Sequence, residues 1–346
     1  MTILFDRIAL IGIGLIGSSL ARVVKRDKLA RTIVACARTE ATLEKVRALK
    51  IADETTLDPA EAAKGADLVV ICTPMGAYEA VARAIAPVLK PGAIVTEVGS
   101  VKQPAIDALR PHLPSHVHLV PGHPVAGTEN SGPESGFAEL FEGRWFITTP
   151  PPGTDEAAVE KVVELWRRTG SRIARMDAQH HDHVLAITSH VPHLIAYTIV
   201  GTAIDLEDHL KSEVIKFSAA GFRDFTRIAG SDPTMWRDIF LLNRDAVLEM
   251  LGRLLEDLSI LQRAIRVGDG KTLFDLFTRT REIRRGVIEA QQHIPPAPPA
   301  TAQRVAAKPA PKRTPRRAAS PKPKAGSAKA RRGRGRSRNS ARSPAP

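Results

Sequence analysis

Arg7-Ile-Ala-Leu-Ile-Gly-Ile-Gly-Leu-Ile-Gly-Ser-Ser-Leu20 runs an apolar, β-prone segment into Gly12-x-Gly14-x-x-Gly17 and on into a helical pattern. Gly12 suits the tight turn, Gly14 lets a pyrophosphate approach the backbone, and Gly17 lets the helix lie close to the strand. The helix N-terminus then offers free N–H groups and partial positive charge to phosphates. A strand before the motif and a helix after it favour a dinucleotide site over three packing glycines. Gly12, Ile13, Gly14, Leu15, Ile16 and Gly17 are therefore candidate cofactor contacts, and redox chemistry is the leading expectation.

Outward from this turn, strand-like runs at 7–11, 32–36, 67–72, 93–98 and 117–120 alternate with helical stretches at Glu40–Leu49, Ala77–Leu89 and Gln103–Leu109. This is the pattern of an α/β, Rossmann-type, doubly wound parallel sheet. Apolar runs at 145–149 and 172–176 flank a helix over 155–169, which Gly170 would stop, and are expected to extend the same sheet. After Asp177 only helical patterns remain, at roughly 178–206, 211–221, 233–266 and 270–292. The division predicted is a dinucleotide-binding domain over 1–176, an all-helical substrate-binding and dimerisation domain over 177–292, and a tail over 293–346. The long apolar helices require burial against another element or a second subunit.

The net charge of +13 belongs to the tail: from Arg304 onward there are 15 Lys or Arg and no acid, leaving 35 basic against 37 acidic residues before it. Pro, Ala, Ser, Lys and Arg without large apolar side chains cannot offset the entropy of ordering, so disorder is expected there. The basic runs suit nonspecific contact with nucleic acid, with an idle or solubilising extension as the alternative. Cys36 and Cys72 are the only cysteines and both fall in predicted strands, so no disulfide framework is expected. A start without a basic segment, and no uncharged run of membrane-spanning length, point to a soluble cytoplasmic protein with no membrane partner.

The second strand ends Cys36-Ala-Arg38-Thr39, with no acid to bind a ribose diol. Arg38 and Thr39 suit a 2′-phosphate, which leans the cofactor toward NADP; if Arg38 instead stacks on adenine or faces solvent, NAD remains usable. Ligands of such sheets lie beyond the carboxyl ends of the strands, where the loops read Cys72-Thr-Pro-Met75, Glu97-Val-Gly-Ser100-Val-Lys102 and Pro121-Gly-His123-Pro-Val-Ala-Gly127-Thr-Glu129. Thr73 and Pro74 are expected beside the ribose and nicotinamide. Ser100, Lys102, His123 and Glu129 supply polar atoms to the reacting end. His123, between Gly122 and Pro124, is expected to be displayed and to titrate near neutrality, taking a hydroxyl proton as hydride leaves.

His180-His181-Asp182-His183 precedes His190, His193 and Tyr197, and helical spacing puts His183, His190, His193 and Tyr197 near one face. Zinc is the rival use of such imidazoles, but there is no ordered metal motif, so no metal is assigned. His190 and His193 are assigned to substrate, with a core or interface role open for His193. Arg223, Arg227 and Arg237 lie among aromatics within 221–238, and arginine there suits bidentate carboxylate binding. Each could instead pair with Asp224, Asp238 or Glu129. The substrate expected is one that bears carboxylates.

These pieces together resemble the prephenate/arogenate (cyclohexadienyl) dehydrogenase family. The matching segments are Gly12–Ser18, Val98–Lys102, Gly122–Gly132, Ser189–His193, Phe225–Ile228 and Ser231–Arg237, spread over about residues 5–290. The resemblance implies oxidative decarboxylation of prephenate to 4-hydroxyphenylpyruvate, or of arogenate to tyrosine, in tyrosine biosynthesis, with NAD or NADP and a homodimer. It implies that His123 polarises the ring hydroxyl, Ser100 orients His123 or the same hydroxyl, Arg227 binds a substrate carboxylate, His193 lies near the substrate side chain and Glu129 pairs with arginine to order or gate the pocket. Arg237 is a second candidate substrate contact. Neither a fused mutase domain nor an appended regulatory domain is expected from this chain. The competing readings are another hydroxyacid-type dehydrogenase, which would place a lysine on the first long helix after Asp177, and a nucleotide sensor with a nucleic-acid-binding tail.

Overall fold

Residues alternate along β1 (Phe5–Ile11), with Ile8 and Leu10 in one buried cluster and Ala9 and Ile11 in the other. Both faces are covered, which is why the strand reads as a continuous apolar run. The computed structural model describes residues 3–128, 130–205, 213, 216–217 and 219–289, all within one compact unit, Met1–Ala300. The tail and its suggested nucleic-acid contact lie outside the described residues, as does Glu129.

β1 leads through the glycine turn into α1 (Leu15–Arg26), then β2 (Ala30–Cys36), α2 (Glu40–Leu49), β3 (Glu54–Thr56), α3 (Pro59–Ala63) and β4 (Leu68–Ile71). α4 (Tyr78–Ile85), β5 (Ile94–Glu97), α5 (Gln103–Leu109) and β6 (His118–Leu119) come next. The six strands form a parallel sheet in the order β3-β2-β1-β4-β5-β6. The order reverses between β1 and β4, which opens a crevice at their carboxyl ends. β3 escaped the sequence reading because Glu54-Thr-Thr56 has no apolar residue.

The expectation that 145–149 and 172–176 extend this sheet is incorrect. β7 (Gly122–Pro124), β8 (Trp145–Thr148) and β9 (Arg172–Arg175) form a separate three-stranded sheet, with β7 antiparallel to β8. Pro121 lacks an N–H to continue the first ladder, and Gly122 then turns the chain onto β8. A side chain at Gly122 would lie 2.1 Å from the Phe146 ring, which stacks on Trp166 of α6 (Glu156–Arg168). The aromatic stack thus fixes the strand that carries His123.

The helical half differs from its predicted spans. The stretch read as 178–206 is α7 (Ala178–Leu185), a π-helical turn (Ala186–His190) and α8 (Val191–Ile204). Of the expected helix 211–221, residues 211, 212, 214, 215 and 218 lie outside the described residues, and Ala219 is extended, so that α9 spans only Ala220–Thr226. The expected 233–266 helix divides at Asn243 into α10 (Pro233–Leu242), capped by Asp232, and α11 (Arg244–Val267), after which comes α12 (Gly270–Glu289). Contrary to the sequence expectation, one helical stretch among the described residues, Ala178–Ala203, is long and apolar enough by length and composition to cross a membrane. Its buried His181, Asp182 and His190 are engaged with the rest of the fold.

Candidate active site

Gly12 follows β1 with a positive φ of 95°, and a Cβ there would stand 2.7 Å from the Cys72 carbonyl. A Cβ on Gly17 would stand 2.3 Å from the Gly12 oxygen. Gly14 meets nothing within 4 Å at the start of α1, whose first turn carries no acid and no side-chain cap. Two glycines thus close the turn and the third leaves room above it. Ile13 is buried, and Leu15 and Ile16 pack on the same core, so these three hold the turn while backbone groups face the crevice. Across it, the Thr73 hydroxyl is buried with no hydrogen-bond partner among the described residues, the kind of orphan that a ligand satisfies. These features fit a dinucleotide phosphate and ribose. Pro74 opens a short 3₁₀ turn, Met75–Ala77, that leads into α4.

Arg38 and Thr39 are exposed at the end of β2. Thr39 caps α2, its hydroxyl accepting from Thr42 N, so its side chain is already committed.

The reacting end is organised around a buried ion pair. Glu97, closing β5, and Lys102, preceding α5, are both fully buried; Lys102 Nζ donates to Glu97 Oε1 and, at 2.8 Å, to the Gly122 carbonyl. Glu97 also accepts from Tyr78 Oη (3.0 Å), Gly99 N (2.7 Å) and Gly122 N (3.3 Å). Burial pushes the Lys102 pKa down while Glu97 pulls it up. Lys102 therefore does not present its ammonium to a ligand, as the sequence suggested; it ties the Ser100 loop to the strand of His123.

His123 itself is packed, not displayed: it is 7% exposed, and burial, His181, Lys102 and His190 hold its pKa well below the usual histidine value. Pairing of β7 with β8 and the cover of α7 explain why its loop-like sequence misled. Its Nδ1 lies 2.9 Å from His181 Nε2, and His181 Nδ1 donates to Asp182 Oδ1 at 2.8 Å. Asp182 also accepts from Lys102 N (2.7 Å) and Gln103 N (2.9 Å), so a carboxylate of the helical half caps a helix of the sheet half. Ser100 is half-buried in the bend before α5, and no hydrogen bond joins it to His123 among the described residues.

The expected common face of His183, His190, His193 and Tyr197 is not formed: His183 is exposed beside Glu249 and His190 is fully buried. The π turn at 186–190 inserts a residue and rotates the helix beyond it. Asn243 Nδ2 donates to the Asp182 carbonyl (2.9 Å) and approaches His190 Nδ1 (3.0 Å), while His190 Nε2 is buried without a hydrogen-bond partner among the described residues. Burial lowers the His190 pKa to about 4. His193 stacks on Trp236, with centroids 3.6 Å apart, donates from Nδ1 to Ser189 O, and is depressed in pKa by burial and by the charge of Arg227. Tyr197 donates to Ser231 O. Arg227, in a 3₁₀ turn after α9, is thus close to His193 although exposed. Arg237 and Arg223 instead take up their neighbours Asp238 and Asp224, the pairing alternative that sequence left open. Asp238 lies against Gly76 in the turn after Pro74.

Residues 20–175 match the prephenate dehydrogenase nucleotide-binding domain and 177–279 its dimerization domain. The chain belongs to the prephenate dehydrogenase family. It is thereby a nicotinamide-dependent dehydrogenase. It is 43% identical over 280 residues to a cyclohexadienyl dehydrogenase of Zymomonas mobilis, spanning 81% of this chain and 95% of that one. Among solved members of the family, the Aquifex aeolicus prephenate dehydrogenase in complex with hydroxyphenyl propionate and NAD+ superposes with a TM-score of 0.76 at 31% identity, covering 82% of this chain and 98% of that one. A Synechocystis arogenate dehydrogenase gives 0.67 at 26% identity, over 81% and 99%. His181, Asp182 and Asn243 are site residues that sequence reading did not assign. The run His180-His181-Asp182 was visible, but nothing local tied it to His123.

Proposed function

We propose that this member of the family oxidatively decarboxylates prephenate to 4-hydroxyphenylpyruvate and carbon dioxide, a step of tyrosine biosynthesis. The observation that carries the reading is a buried, neutral His123 with Nδ1 committed to His181, which leaves Nε2 for the substrate's ring hydroxyl. The nicotinamide, when bound, supplies the hydride acceptor. His123 Nε2 accepts the hydroxyl hydrogen bond as the carbinol carbon becomes cationic; the ring C–carboxylate bond then breaks, its electrons aromatise the ring, and the proton stays with the product phenol. No separate decarboxylating group is needed. Ser100 lies in the loop that leads from β5 and orients the hydroxyl, and Arg227 binds a substrate carboxylate.

The backbone of Gly12–Gly17, with Thr73 and Pro74, holds the cofactor. NADP is favoured over NAD because Ala37 puts no acid at the end of β2 and Arg38 stands exposed there. With Thr39 committed as a helix cap, the preference rests on Arg38. Arogenate is a second substrate: it carries an ammonium where prephenate has a keto oxygen, and neutral His193, donating from Nδ1 to Ser189 O, keeps an acceptor at Nε2.

A homodimer through residues 177–292 agrees with the apolar side chains exposed on α11 and α12, among them Leu255, Leu258, Ile265, Phe274 and Phe277. Steady-state assays of cofactor reduction with prephenate or arogenate, each with NAD or NADP, test the reading. Turnover of prephenate is expected with either cofactor; silence in all four combinations from folded protein rejects it.

A further inference from the structure

Asp182 reaches two histidines of the site by separate routes. Through its side chain, Oδ1 accepts from His181 Nδ1 at 2.8 Å. A carboxylate oxygen that already takes the Lys102 N–H can only accept, so the His181 proton sits on Nδ1. Neutral His181 then shows a lone pair at Nε2, 2.9 Å from His123 Nδ1. His123 must donate there, and its Nε2 is a bare acceptor.

Through its main chain, the Asp182 carbonyl accepts from Asn243 Nδ2 at 2.9 Å. A carbonyl cannot donate, which settles the orientation of the Asn243 amide, and the same Nδ2 lies 3.0 Å from His190 Nδ1. His190 therefore accepts at Nδ1 and carries its proton on Nε2. That N–H is fully buried and has no hydrogen-bond partner among the described residues, where the ring meets the Trp236 indole in a T-shaped contact at 6.0 Å. A buried donor left unpaired is costly, and an acceptor on the ligand would satisfy it.

We propose that Asp182 is a positioning residue that fixes opposite tautomers on two histidines, making His123 Nε2 an acceptor and His190 Nε2–H a neutral donor to an acceptor oxygen of the substrate. The site then discriminates by polarity: a hydroxyl is recognised at one imidazole, and a carboxylate or carbonyl oxygen at the other. A neutral donor also suits a substrate that loses a carboxylate, because it does not hold the departing charge as strongly as a cation would. The tautomers stand on the hydrogen-bond geometry of neutral imidazoles; the donor's role rests on the dehydrogenase reading above.

Long-range proton–nitrogen correlation spectra of the full chain labelled with ¹⁵N-histidine, assigned with His123→Gln and His190→Gln, read the tautomers directly and require no turnover. His123 is expected to be protonated on Nδ1 and His190 on Nε2. The same tautomer on both, or averaging between the two nitrogens of either, overturns the proposal. Asp182→Asn, whose amide can donate to His181, is expected to reverse the His123 pattern and lower kcat by roughly 10²-fold or more with KM little changed. Should that variant not fold, the wild-type spectrum decides. Asn243→Asp removes the donor to His190 and is expected to reverse its pattern, raising KM for prephenate more than it lowers kcat. A reversed pattern with unchanged KM rejects the substrate contact. If prephenate is not turned over at all, the spectra still judge the tautomers, so failure of the reaction assignment is separable from failure of the positioning role of Asp182.

Discussion

Lys102 Nζ lies 2.8 Å from the carbonyl oxygen of Gly122, the residue immediately before His123. The same ammonium holds Glu97, and neither side chain meets solvent. Removing one charge strands the other in the interior. Lys102→Met is expected to destabilise the protein by about 3–5 kcal/mol, read from urea denaturation. Combining it with Glu97→Gln should restore part of that loss, and a double variant no more stable than Lys102→Met would refute the pairing argument.

The three glycines of the turn should separate folding from cofactor binding. Gly14→Ala places a methyl in open space, so melting should be unchanged while cofactor KM rises by about tenfold or more. Gly17→Ala drives a methyl onto the Gly12 backbone and should cost about 1–3 kcal/mol as an overpacked site. Equal melting temperatures for the two variants would contradict this.

His123 is held neutral well below the ordinary histidine value. The acid limb of kcat/KM attributable to it should therefore fall below about pH 6.5. His190 brings the same sign into stability. Folded, it titrates at about 4; unfolded, near 6.5. Above pH 6.5 both states are neutral and nothing is lost, whereas between about 6.5 and 4 the unfolded chain binds the proton first and stability falls as pH drops. Denaturation midpoints measured from pH 7.5 to 4.5 check this, and His190→Gln should flatten the slope if the fold survives.

Arg38→Ala should raise KM for NADP by about 10- to 100-fold, the worth of a charge-assisted hydrogen bond, and leave KM for NAD nearly unaltered. Ala37→Asp should shift the ratio of kcat/KM toward NAD. If Arg38→Ala affects both cofactors alike, Arg38 does not read the 2′-phosphate.

The parallel sheet was legible because its information is local: β1, Gly12, Gly17 and the apolar strands each announce themselves within a few residues. β7 was not, since the three residues Gly122–Pro124 read as a loop until Phe146 and Trp166, distant in sequence, are packed against them. That His123 is a candidate base was legible from residue type, whereas its burial and its link to Asp182 were not. Those depend on α7 docking beneath α5, a contact spanning 80 residues. Regular helical spacing put His183, His190, His193 and Tyr197 on one face, which the structure does not form, because a π turn cannot be read from composition. Arg237 was as legible as Arg227 from residue type, and its ion pair with Asp238 is one of the pairings that the sequence left open.

The extra residue at Ala186–His190 also makes chain length a determinant of the pocket. Each residue of an α-helix advances the side-chain direction by about 100°. Upstream of the insertion the helix keeps the frame that points His181 and Asp182 at the sheet half; downstream it keeps another, which aims His190 and His193. Deleting Thr188, whose side chain is exposed, would alter no proposed ligand contact and yet bring both frames into one phase, swinging the second pair of imidazoles away from their places. Redesign of substrate scope on α8 thus inherits an angular offset written upstream of it, and an alignment gap here would signify a rotated pocket.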